Sequence, residues 1–252
     1  MRALVTFAVN AEFEPWRRLR KFRCVRSAAP AWHEFSAGEN LNVRVVLTGM
    51  GENRAREAAK AALADGADVC ISSGLAGGLR AGQRTGDILV AQVVVKDGEP
   101  VAVASDLELL TLATECGARQ VPRFITTREV VTHAADKQRL GERADAVEME
   151  SLAVLAEAAV RGVPAVAVRA IADTVDFDLP FDFSSACDAG GQIRVSRVLA
   201  AIARRPLRIP ALMRLAGDCR LASRGLAEFL DAFTGSLAER EKGAKAEVLA
   251  TT

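Results

Sequence analysis

Short runs of valine, isoleucine and alanine alternate with stretches of helical spacing along most of this chain. Residues 3–9, 43–47, 69–73, 87–95, 146–149 and 165–172 are apolar runs too short for a helix, and they read as strands. Residues 52–65, 106–116 and 151–160 read as helices between them, and 124–131 as extended chain. Lys96-Asp97-Gly98 reads as a turn. From about residue 188 the pattern is helical. Strands alternating with helices predict an α/β fold around a mostly parallel or mixed sheet. Half of the 252 residues are apolar, enough for a sizeable core.

Two of the runs end on a carboxylate. Val147-Glu148-Met149-Glu150-Ser151 is followed by Val168-Arg169-Ala170-Ile171-Ala172-Asp173. In open α/β sheets ligands gather outside the carboxyl ends of strands. Four candidates fall at such ends: Glu12, the turn Gly74-Leu75-Ala76-Gly77-Gly78, Glu150 and Asp173. Acids at strand ends with a glycine-rich turn upstream point to an enzyme pocket. Each also has a plainer reading. Glu12 and Glu150 suit first helical turns, where an acid complements the helix dipole. Asp173 suits a cap, and the glycines suit a tight turn without a ligand. The glycines do not form Gly-x-Gly-x-x-Gly, so a nicotinamide oxidoreductase lacks its dinucleotide turn.

Charge and cysteine usage narrow the classes further. Basic and acidic residues number 33 and 32, so the balance gives no reason to expect nucleic acid. Cys24, Cys70, Cys116, Cys187 and Cys219 are scattered without any Cys-x-x-Cys, which fits a reducing cytoplasm and argues against a disulfide framework or zinc site. His33 and His133 are the two histidines and lie far apart, so no histidine-rich metal site is expected. No cofactor is called for. Residues 3–9 are too short for a signal peptide, and no run of about twenty apolar residues spans a membrane.

Taken in order, Gly74-Leu75-Ala76-Gly77-Gly78-Leu79 with Gly86-Asp87-Ile88, then Val147 to Ser151, then Val168 to Asp173 resemble the nucleoside phosphorylase superfamily. The nearest well-known branch is the 5′-methylthioadenosine/S-adenosylhomocysteine nucleosidases. The resemblance covers roughly residues 3 to 185. It implies a single three-layer α/β/α domain with a twisted mixed central sheet, usually a homodimer or larger homo-oligomer. The domain is expected over residues 1–236, with a flexible tail over 237–252, where the composition turns to charged and small residues.

The resemblance also implies roles. Asp173 matches the aspartate that protonates N7 of the purine. Glu150 matches the glutamate that holds the ribose hydroxyls, with Met149 beneath the sugar. Glu12 matches the glutamate that activates water. Ala76 and Gly77 match the turn whose backbone lies along sugar and nucleophile. Val130 and Val131 fall where the base binds, and Met50 and Phe183 where the 5′ group lies. The chemistry is coherent. Breaking a ribose–purine bond builds a positive sugar and a negative purine, so one acid must stay protonated while another acts as base.

Departures from the family pattern bear on the reaction. Leu75 and Ala172 stand where the family often has serine. Phosphorylases carry phosphate-binding arginines at the position of Glu12 and near Ser72, and neither is present. Hydrolysis is therefore expected, unless Arg80, Arg84 or Arg128 supplies the charge. The nucleosidases carry an aromatic insertion after the position of Val95, whereas this chain has only residues 96–105 there and no tyrosine. A more open 5′ side and a larger 5′ substituent are expected.

From Arg194 to Arg224 lie arginines 194, 197, 204, 205, 208, 214, 220 and 224 against the single acid Asp218, with leucine and isoleucine interleaved. Pro206 and Pro210 divide the stretch into two helical pieces. It suits a packing helix with a solvated basic face. A sharper alternative is peripheral contact with anionic lipid. This stretch and the shortened middle are similar to the hopanoid-associated phosphorylase branch, which implies a nucleoside with a large lipid at the 5′ position. Glu148 departs from that branch, where aspartate is expected. A non-catalytic nucleoside-binding or lipid-surface protein on the same fold is the competing class.

Overall fold

In the computed structural model, residues 1–28, 30–180 and 209–250 are described. Strand β1 (Arg2–Phe7) is buried from its second residue onward because strands flank it on both sides. It pairs in parallel with β4 (Leu41–Leu47) and with β5 (Val69–Ser72). Outside β4, the antiparallel strands β3 (Ala31–Ala37) and β2 (Arg23–Arg26) form one edge. On the other side β5 pairs with β11 (Ala165–Asp173), which continues to β6 (Leu75–Gly78), β10 (Ala146–Glu148), β9 (Arg119–Thr126), β7 (Ile88–Lys96) and β8 (Ala102–Ala104). The eleven described strands form one mixed sheet.

Strand β11 does more than extend the sheet. Its start pairs with β5, its end with β6, and its middle with β7 in antiparallel fashion. Strands β11, β6, β10, β9 and β7 therefore close into a ring. Being enclosed on all sides, β11 reads as a continuous apolar run rather than an alternating one.

The two-residue period still sorts its side chains. Val166, Val168 and Ala170 join the core with α1 (Asn10–Leu19), α3 (Leu107–Glu115) and α6 (Ile209–Ala250). Ala165, Ala167 and Ile171 join the core with α2 (Glu52–Ala64) and α5 (Ser151–Val160). Helices thus cover both faces, and the architecture is the expected α/β/α sandwich around a twisted mixed sheet. Phe7, Phe13, Trp16, Phe22 and Phe35 interlock in tilted and edge-to-face contacts beneath α1 and fix that helix against the sheet.

Several local readings need correction. Residues 75–78 are strand β6, not a turn, because neighbouring strands supply the ladder that the glycines do not announce. The extended stretch begins at Arg119 and ends at Thr126, so Val130 and Val131 lie in the loop beyond it. Helix α4 (Ala134–Gly141) and strands β2, β3 and β8 had no clear periodic signal. Pro210 opens α6 rather than breaking it. The helix then runs through residues expected to be a flexible tail. Leu237 is buried, Arg240 donates to Glu115 at 2.6 Å, and Glu241 lies 3.5 Å from the N-terminal ammonium.

Candidate active site

The acids predicted from the sequence converge on one cavity of about 870 Å³. It is lined by Glu12, Met50, Ala76, Gly77, Val130, Val131, Met149, Glu150 and Asp173, all predicted site residues. Phe183 lies outside the described residues.

Glu12 sits in the first turn of α1 and does cap it. Its Oε2 accepts from the Ala8 and Val9 amides at 3.0 and 3.2 Å. A third bond takes it beyond the plain reading, since Oε1 accepts from the Leu75 amide at 3.0 Å. That reach requires Gly74. Its φ is +149°, and a Cβ there would lie 3.2 Å from Oε1. Burial raises the pKa of Glu12, opposed by the Leu75 amide, by Arg169 and by the Val9 and Ala8 amides. Later in α1, Pro15 cannot donate to the Ala11 carbonyl, and both residues line the cavity.

Asp173 is aimed by an irregularity. Ala170 and Ile171 pair with Leu75 and Ala76, but the next pair is Asp173 with Gly77. Ala172 is thus an extra residue in β11. A bulge of this kind re-aims the side chain after it. A Cβ on Gly77 would meet the Asp173 oxygens at 3.4 and 3.7 Å. Asp173 Oδ2 accepts from the buried Lys137 ammonium. Burial raises the pKa of Asp173, Lys137 opposes it by charge and hydrogen bond, and Asp218 on α6 adds to the rise.

Glu150 caps the entrance to α5. Its Oε1 accepts from the Gly51 amide at 2.7 Å, which ties this junction to the turn between β4 and α2. Met50 in that turn and Met149 beside Glu150 form part of the apolar wall. Burial first, then the Glu148 carboxylate, push the pKa of Glu150 up to about 8, against Arg169 and the Gly51 amide.

In and behind this wall lie residues that sequence reasoning left without a role. Glu148 accepts from Arg169 at 2.7 Å, from the Thr126 hydroxyl and from the Glu150 and Ser151 amides at 2.9 and 2.6 Å. Arg169 also donates to the Ser72 carbonyl at 3.0 Å. Both residues stood in the quoted motifs, so an arginine inside an apolar strand was the available signal. Lys137 offered none, because it sits in the polar octapeptide Ala-Ala-Asp-Lys-Gln-Arg-Leu-Gly. Further wall comes from α6 through Leu215, Ala216, Cys219, Arg220, Ser223 and Arg224, and from Arg18 and Leu19 on α1. Burial pushes the Cys219 thiol up to about 12, helped by Asp173, Glu12 and Asp218, which disfavours its thiolate.

The arginines considered as phosphate ligands are elsewhere. Arg80 pairs with Asp145 at 3.0 Å and Arg128 with Glu99 at 3.0 Å; neither they nor Arg84 line the cavity.

Comparison with known proteins bears on the fold that carries this site. Native futalosine hydrolase of Helicobacter pylori superposes with a TM-score of 0.73 at 18% identity, covering 94% of this chain and 98% of that one. The Helicobacter pylori 5′-methylthioadenosine/S-adenosylhomocysteine nucleosidase with butyl-thio-DADMe-Immucillin-A gives 0.73 at 18% identity over the same shares. The Neisseria meningitidis nucleosidase with methylthio-immucillin-A gives 0.71 at 19% identity, over 93% and 99%. At these identities the likeness is one of fold. The sequence model described as the phosphorylase superfamily matches residues 12–204, more than half of the chain. The chain therefore belongs to the phosphorylase superfamily.

Proposed function

We propose that this chain hydrolyses the N-glycosidic bond of a 5′-modified adenosine and releases adenine. One observation carries the reading. Glu12 and Asp173 approach the same short strand at Gly74–Leu75 and at Gly77. Along an extended chain that separation is about 7–10 Å. A nucleoside laid along β6 would have one acid at the sugar and the other at the base. Glu150 and Met149 stand where the ribose would lie, and Val130 and Val131 beside the base.

The residues then divide the work. Glu12 takes a proton from water as its oxygen attacks the anomeric carbon. The bond from that carbon to N9 breaks, its electron pair passes to the purine, and Asp173 delivers a proton to N7. Burial favours the protonated form that Asp173 needs, while the Leu75 amide, Arg169 and the Val9 and Ala8 amides work against burial to favour the carboxylate that Glu12 needs. Water is favoured over phosphate as nucleophile because Glu12, a carboxylate, faces the Leu75 amide and Arg169 is turned to Glu148 and Ser72. Arg18, Arg220 and Arg224 also line the cavity, so the phosphate arm of the test decides between the two. The names of the Helicobacter pylori and Neisseria meningitidis proteins point the same way. Adenine release from a panel of 5′-modified adenosines, with and without phosphate, tests the reading. A rate that requires phosphate would return it to phosphorolysis. Binding without release would favour a nucleoside-binding protein.

A second reading concerns the 5′ group. Helix α6 walls the cavity, Leu19 in the cavity lining is 54% exposed, and Met213, two residues before the lining residue Leu215 on α6, is 70% exposed. This apolar margin suits a long apolar 5′ substituent, as in adenosylhopane, the nucleoside of the hopanoid-associated branch. Arg220 and Arg224 are exposed on the same helix, and Arg214 pairs with Asp218 at 3.7 Å. The other arginines of the predicted stretch lie outside the described residues. No described helix is long and apolar enough to cross a membrane. Peripheral contact with anionic lipid would be worth about 1 kcal/mol per arginine and would be screened by salt. Sedimentation with anionic vesicles at low salt, together with preference for long-chain 5′ analogues, supports this reading. Strong preference for methylthioadenosine without vesicle binding removes it. Sedimentation equilibrium tests the homodimer that the family resemblance implies.

A further inference from the structure

Lys137 is fully buried, yet it is a lysine. Its ammonium has three donors and three acceptors: Asp173 Oδ2, the Thr174 carbonyl at 3.2 Å and the Phe177 carbonyl at 2.7 Å. A buried cation carries a desolvation cost that an apolar side chain of the same length would avoid. Other contacts also tie α4 to its surroundings. The Ala134 amide donates to Asp178 at 2.6 Å, Gln138 donates to Asp176 at 3.2 Å, and the Leu179 amide donates to the Thr132 carbonyl at 2.8 Å. Gly141 packs so closely that a Cβ there would lie 2.3 Å from the Leu79 carbonyl oxygen. A charge at 137 therefore has a purpose beyond clamping the helix to the loop after β11.

We propose that Lys137 is the positioning residue of the site: it pins Asp173 by Oδ2, leaves Oδ1 for the purine, and places a positive charge beside the acid. This rests on Asp173 acting as the acid. When Asp173 gives its proton to N7 it becomes a carboxylate, and the ammonium at Oδ2 stabilises that anion. Other groups face Asp173 from the packed elements. Asp218 and Cys219 lie on α6, and Glu12 lies at the other end of β6, by Leu75. Arg169 on the same strand is turned to Glu148 and Ser72. Lys137 is the cation bonded to Asp173 among the described residues.

The sign of the pH effect follows. Burial and Asp218 favour the protonated acid, and Lys137 favours the carboxylate. Removing the ammonium lets the acid keep its proton to higher pH. In Lys137→Met, the alkaline limb of kcat/KM should move up by roughly one pH unit or more, while kcat at neutral pH falls roughly tenfold or more as Asp173 loses its tether. Lys137→Gln keeps amide donors without charge. It should recover part of kcat while its alkaline limb stays displaced, and it serves should the Met variant not fold. A merely structural lysine would change melting temperature and rate but leave the limb in place, and that result overturns the proposal. In an Asp173→Asn background, Lys137→Met should have little further effect on kcat, because the two act as one unit. If Asp173→Asn itself releases adenine at a normal rate, the reading of Asp173 fails and this proposal fails with it. If Asp173→Asn is inactive but neither lysine variant moves the limb, the role of Lys137 alone is rejected.

Discussion

Arg169 Nη2 lies 2.7 Å from Glu148 Oε2, and the two side chains are 1 and 0% exposed. The pair joins β11 to β10 just behind Glu150, whose own carboxylate is 4.0 Å from the same nitrogen. Glu148 also receives the amides that open α5. One buried network therefore sets the strand ends from which Glu150 and Asp173 project.

Breaking that pair on one side should be costly. Arg169→Met leaves the Glu148 carboxylate buried without its cation, and a loss of about 3–5 kcal/mol is expected. Urea unfolding monitored by circular dichroism gives the value. A loss below 1 kcal/mol, against the usual range for such pairs, would mean that the pair is better solvated than its burial implies.

Asp173→Asn keeps shape and removes the proton. Turnover should fall roughly 100-fold or more, the scale of general acid catalysis. Steady-state adenine release at neutral pH measures it, and near-normal turnover would remove Asp173 from the acid role.

Glu150→Gln should trade function for stability. Burial and Glu148 hold the folded-state pKa of Glu150 near 8, above its ordinary value of 4.5. A raised carboxyl pKa contributes stability that is present below the unfolded value and is lost as pH rises through the folded one. The Gln variant should therefore melt close to wild type at pH 5 and above it at pH 8. Its kcat/KM should drop, because contacts to the ribose hydroxyls persist into the transition state. Melting curves at both pH values check the first part. Comparing ribo and 2′-deoxy substrates checks the second, and equal rates would show that Glu150 has another task.

Gly74→Ala should damage the site from a distance of one residue. The positive φ costs a non-glycine residue about 1–3 kcal/mol. The new methyl would also press on Glu12 at 3.2 Å. Glu12 must then shift, and the rate should fall roughly tenfold or more. The affected step is water activation, so kcat should change more than KM. An unchanged kcat would argue against Glu12 as the base.

Much of the frame was legible in the residues because it is local. Residues 43–47, 69–73 and 165–172 are apolar runs whose neighbours in sequence announce a strand. The acids at Glu12, Glu150 and Asp173 follow such runs, so their presence at strand ends could be read directly. Their direction could not. Asp173 is turned to the cavity by an extra residue at Ala172, which has meaning only in register with Leu75, Ala76 and Gly77. Glu12 looked like a helix cap and is one, but the amide that adds to its role is 63 residues away. Residues 75–78 looked like a turn because glycine carries no strand signal, and only pairing with β10 and β11 makes them a strand. Lys137 was invisible for the same reason: an isolated polar helix says nothing about the carboxylate 36 residues later that draws its ammonium into the interior. Sequence alone determined where chain segments become strands and helices, since those preferences act over a few neighbours. Which side chains meet, and with what charge beside them, was decided by the tertiary structure, because burial and partner distance exist only once remote segments pack together.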